Sequence, residues 1–75
     1  MSHAPQSNPD VAATRTYARA MDLDELRWAV KDRAETADAT GALERAGISG
    51  TPASYYRAEA AIFNAEIRRR TGTAR

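Results

Sequence analysis

The rhythm of apolar residues changes near residue 22. Before that point they are scattered, whereas Leu23, Leu26, Val30, Ala34 and Ala37 recur at three- and four-residue intervals, the spacing that lines one face of an α-helix. The start of this helix is signed chemically. Asp22 suits the N-cap, Glu25 three residues on can reach back to the cap's own amide, and Met21 can staple onto Leu26 across the first turn. The helix should reach at least Thr40. Gly41 and Gly47 are both competent stops, and the helix-prone residues 42–46 between them favour continuation to about Ala46 with a bend at Gly41.

Ile48, Ser49 and Gly50 make a connection of ordinary length, after which Thr51 as cap and Pro52 in the first helical position predict a second helix. Its stripe runs through Tyr56, Ala60, Phe63 and Ile67, widened on one flank by Tyr55 and Ile62. It ends at Arg68, Arg69 and Arg70, cations that complement the negative end of a helix dipole. The predicted fold class is all-α: an antiparallel helical hairpin over residues 22–70, a tail at 71–75 and an N-terminal arm at 1–21. Within the arm, Asn8, Pro9 and Asp10 could open a short helix at 10–20 carrying Val11, Thr14 and Tyr17. An extended segment fits equally. No internal repeat and no strand-like alternation is present.

The hairpin has few large side chains to bury: Leu23, Leu26, Val30, Tyr56, Phe63 and Ile67, with Ile48 near the turn. Each contributes about 1.5–3 kcal/mol when fully buried, against an ordering cost of about 1.5 kcal/mol per residue. Such a hairpin needs a third element, self-association or a host surface. Trp28 sharpens the point, because it projects about 140° from Leu23 and almost opposite Val30, among Asp24, Asp32 and Glu35. Either the Tyr17 segment folds back over it, or it anchors another protein, as tryptophans at interfaces do. Tyr55 and Ile62 pose the same choice on the second helix, where a broad core stripe is the simpler reading. The candidate partner-binding residues are therefore Trp28, Tyr17, Tyr55 and Ile62, with residues 2–11 lying along the partner.

Composition narrows the chemistry. The chain of 75 residues has no cysteine and one histidine, His3, so a thiolate metal site, a disulfide framework and a Ser-His-Asp constellation cannot be drawn. No glycine-rich phosphate loop is present. No metal and no cofactor is expected, and no enzyme: the most enzyme-like grouping, Asp32, Glu35 and Asp38, falls on a solvated helix face. No apolar run is long enough to cross a bilayer and no secretory pattern opens the chain, which implies an intracellular origin.

The net charge is +1, yet the charges are unevenly placed. Residues 22–44 hold seven acidic side chains against Arg27, Lys31 and Arg33, while the stretch from Arg57 onward holds five arginines against Glu59 and Glu66. Acidic and basic helices would attract within a hairpin or between copies of the chain. The basic end supports an alternative reading, a small nucleic-acid-binding regulator contacting phosphate through Arg68, Arg69 and Arg70. The near-neutral total and the absence of a three-helix pattern with a base-reading helix count against it.

The layout of Leu26, Trp28, Lys31 and Asp32, an alanine-rich stretch, a glycine-containing turn, then Tyr55, Tyr56, Glu59, Glu66 and the arginine end resembles short helical accessory proteins encoded by tailed bacteriophages. The resemblance covers roughly residues 22–70. It implies a virion component that cements or decorates a capsid, made in the bacterial host cytoplasm and bound to a coat protein or to its own copies. It carries over no functional residue.

Overall fold

A computed structural model describes residues 8–72 of the chain. Three helices and, among the described residues, no strand make up the fold: α1 at Val11–Ala20, α2 at Leu23–Arg45 and α3 at Ala53–Thr71. The helical option for residues 10–20 is the one adopted. Asp10 is its N-cap, accepting the Ala13 N–H at 3.0 Å, and the helix ends where the Met21 N–H donates to the Ala18 carbonyl. Residues 1–7 of the expected arm at 1–21 and residues 73–75 of the expected tail lie outside the described residues.

The start of α2 matches its chemical signature in full. The Glu25 N–H donates to the Asp22 carboxylate at 2.8 Å and the Asp22 N–H donates to Glu25 at 2.9 Å, a reciprocal capping box. Met21 is half-buried against the core that contains Leu26. The helix runs unbroken through Gly41 to Arg45. Its stop is Gly47, which takes φ +82, while the Gly47 N–H donates to Glu44 O and the Ile48 N–H to Leu43 O, both at 3.0 Å. Paired bonds of this kind satisfy the last carbonyls of a helix, and they require the left-handed conformation that glycine adopts most cheaply.

The start of α3 differs from expectation. Pro52, not Thr51, occupies the N-cap, and no side chain of the connection bonds there. The Glu44 carboxylate, reaching across from α2, accepts the Ala53 N–H at 3.4 Å. Carboxylates suit the positive end of a helix, so the acidic residue closing α2 takes over the capping role. At the other end Gly72, with φ +70, terminates α3 by donating its N–H to Arg68 O.

α2 and α3 pack as an antiparallel hairpin: Glu44 meets the first residue of α3, Arg33 bonds Glu59 midway, and Leu26 and Val30 share a core with Phe63 and Ile67. The shorter α1 folds back and packs on α3. It supplies the third element that the hairpin's thin seam called for, through Ala18, which is fully buried with Leu26, Ala29 and Phe63. The buried line of α2 is turned from the expected stripe. Leu26, Ala29, Ala37 and Gly41 face inward, Ala34 is exposed and Leu23 is only half-buried. Small residues at 29, 37 and 41 leave room for the bulk of α3 to sit between the helices. Ile48 spends its N–H on closing the turn and leaves its side chain 55% exposed, so it does not join the seam. Among the described residues no helix is long and apolar enough to cross a membrane.

Candidate functional site

The junction of α1 and α2 forms a groove of about 300 Å³ with Phe63 at its floor and Tyr17, Met21 and Trp28 on its walls. Phe63 lies there because it is the large residue at the centre of the α3 stripe, and α1 and α2 both close on it. Tyr17 projects from α1 with its ring centroid 6.4 Å from that of Phe63, tilted by 59°, a separation and tilt at which aromatic quadrupoles attract. Trp28 stands on the outer side of α2. Of its surface 69% remains open, and of Tyr17's 61%. The fold-back of α1 therefore covers Phe63 and leaves the indole uncovered.

The polar rim of the groove is organised by Arg33. Its Nε donates to Glu59 on α3 at 2.9 Å, its Nη1 pairs with Asp32, and its guanidinium carbon stands 6.0 Å from the Phe63 ring centroid. A planar guanidinium both pairs bidentately and lies over aromatic faces. Arg33 thus pins the long axis of the hairpin and forms one wall of the groove. Among the described residues no group of three His, Asp or Glu side chains is placed to hold a metal ion.

The two candidate contact residues on α3 lie elsewhere. Tyr55 is half-buried and meets Tyr56 edge-on with centroids 5.6 Å apart. Ile62, also half-buried, lines a crevice between α3 and α1 beside Ala18 and Arg15. Trp28 and Tyr17 share the groove; Tyr55 and Ile62 do not join it.

At the basic end the arginines are already engaged. Glu66, 7% exposed, accepts hydrogen bonds from both Arg69 and Arg70. The Arg70 Nη2 also donates to the Ala18 and Arg19 carbonyls, each at 3.1 Å. Arg70 thereby caps the C-terminus of α1 from a different helix. The hydrogen bonds from Arg69 and Arg70 hold the Glu66 carboxyl well below the ordinary range, at about 2, against the opposing pull of burial. The same contact with Glu66 raises Arg69. Of the three arginines Arg68 alone, among the described residues, has no ion-pair partner.

The structural weight of Glu66 and Arg33 was not read from the sequence, where both pass as surface charges. The one available signal was the spacing of Glu66 with Arg69 and Arg70, at which helix side chains meet. Compared with family models, with curated proteins and with solved structures, the chain matches none.

Proposed function

We propose that this chain is a structural protein without catalysis that works by docking. Its partner is a coat protein of a tailed-bacteriophage virion or further copies of itself, which it cements or decorates. The observation that carries the reading is the uncovered indole of Trp28 on a well-capped helix, at the mouth of a groove floored by Phe63. A large aromatic side chain left in water forgoes the gain of burial, and aromatic anchors beside a pocket are where interface energy concentrates. The thinness of the core supports the same reading: among the described residues Phe63 and Leu26 are the only large side chains fully buried. The assignment to a virion rests on the resemblance between residues 22–70 and short phage proteins.

Trp28→Ala should weaken assembly by at least about tenfold, the loss typical of a buried interface anchor, with helix content nearly unchanged. Titration of the wild type and the variant against coat protein, alongside circular dichroism, measures both. A large loss of helicity would make Trp28 a folding residue and remove its role. The competing reading, a nucleic-acid-binding regulator, has two of its three arginines tied to Glu66. It predicts binding that falls steeply with salt and vanishes when Arg68, Arg69 and Arg70 are neutralised. A gel-shift series at rising salt with duplex and single-stranded probes separates the two.

A further inference from the structure

A second apolar patch occupies the tip of the hairpin, where Leu43 is 48% exposed beside Ile48 and both line a shallow pocket with Tyr56. Leu43 and Trp28 stand on one unbroken helix. Fifteen residues of α-helix place them about 22 Å apart along the axis and about 60° apart around it. The two exposed patches therefore share a flank of α2.

Charges mark the edge of that flank. In chain order they are Asp24, Arg27, Lys31, Glu35, Asp38 and Arg45, and none of the six has an ion-pair partner among the described residues; Glu25 and Asp32 stand on the other side of the flank, beside the groove. Run antiparallel against a second copy and centred between residues 34 and 35, the helix sets Arg45 opposite Asp24 and Asp38 opposite Lys31, while Arg27 meets Ala42. The same reversal sets Trp28 opposite Gly41, two residues or about 3 Å along the axis from Leu43. An antiparallel pairing thus brings acid against base and apolar near apolar in registers two residues apart, and it also opposes the two helix dipoles.

We propose that two copies of this chain dimerise through α2, antiparallel about a two-fold axis beside Glu35, each copy's Leu43 and Ile48 entering the other's Tyr17–Trp28 groove. A self-complementary patch of this kind closes on itself and does not propagate into a fibre. The inference rests on the reading of the Trp28 face as a docking face and names a second copy as its occupant. Glu35 is the one charge that the axis sets against its own counterpart. It limits the affinity by like-charge repulsion.

The full chain carries no cysteine, so single cysteines report the register. Glu35→Cys should form a disulfide-linked dimer under mild oxidation, and Ala34→Cys, exposed on the same helix but about 100° away around it, should not. A mixture of Asp24→Cys and Arg45→Cys chains should cross-link, and neither chain should do so alone. In sedimentation equilibrium the wild type should be a reversible dimer. Trp28→Ala and Leu43→Asp should each raise its Kd at least about tenfold, and Glu35→Gln should lower it about threefold or more. A wild type that stays single up to millimolar concentration overturns the proposal, as does cross-linking at position 34 equal to that at 35. A dimer that Glu35→Cys fails to cross-link overturns this register while the docking role of Trp28 stands. If Trp28→Ala alters neither self-association nor coat-protein binding, the docking reading falls as well.

Discussion

Glu66 is the residue whose setting departs furthest from what its type suggests. A carboxylate 7% exposed keeps its charge because two guanidinium groups bond it, and the folded chain therefore holds a proton there less tightly than the unfolded chain does, with its pKa lowered to about 2 from 4.5. A lowered folded-state pKa means that the stabilisation is complete above about 4.5 and is lost as pH falls from there towards 2, because the unfolded chain then takes up the proton first. Urea denaturation at a series of pH values should show stability falling through that window. Glu66→Gln should flatten the fall while lowering stability at neutral pH. Two glycines make an opposite pair. At Gly41 an added Cβ would meet only the far ends of Arg45 and Arg57, no closer than 3.5 Å, so Gly41→Ala should stabilise by about 0.5–1 kcal/mol through helix propensity. At Gly47, with φ +82, alanine should destabilise by about 1 kcal/mol. Thermal melts of the two variants should move in opposite directions.

Among the elements, α1 depends most on a single contact. Ten residues are too few for an isolated helix to persist in water, and this one is held by Ala18 in the core and by Arg70, which bonds its last carbonyls from α3. Arg70→Ala should lower the local opening free energy of α1 by about 1.5–3 kcal/mol, the worth of hydrogen bonds made by a charged group. Hydrogen exchange should then quicken at the α1 amides and stay unchanged at the capping box of α2. This contact also divides what the sequence could disclose from what it could not. The helices themselves were legible because caps and periodicity are local: Asp22 with Glu25, Gly47 as a stop, and Phe63 at the centre of a stripe all act within a few residues. Trp28 pointing away from the seam was legible for the same reason. The links between elements were not. Glu44 capping α3, Arg33 crossing to Glu59 and Arg70 reaching Ala18, 52 residues away, depend on a packing that no local pattern encodes. The inward turn of Ala29 and Gly41 was hidden likewise, since small residues show their purpose only when a partner helix lies over them.

At the scale of the whole molecule, three helices converge on a core whose only large, fully buried members among the described residues are Leu26 and Phe63. Domains this short bury a small fraction of their surface and sit near the limit of independent stability. A dimer that covers Trp28, Leu43 and Ile48 would add to each chain the burial that its own seam lacks, so folding and association become linked. The linkage has a direct thermal signature. When a folded dimer melts to two unfolded chains, each tenfold rise in protein concentration stabilises it by about 1.4 kcal/mol per dimer, and for about 150 residues melting together that moves Tm by about 3–6 °C. The wild type scanned across two decades of concentration should show this climb, reversibly and as one transition. Trp28→Ala, which removes the anchor, should melt lower at every concentration, by at least the shift that a tenfold dilution gives the wild type. A wild-type Tm that stays constant over the same range would mean that the three helices stand by themselves, with the exposed indole contributing nothing to holding them together.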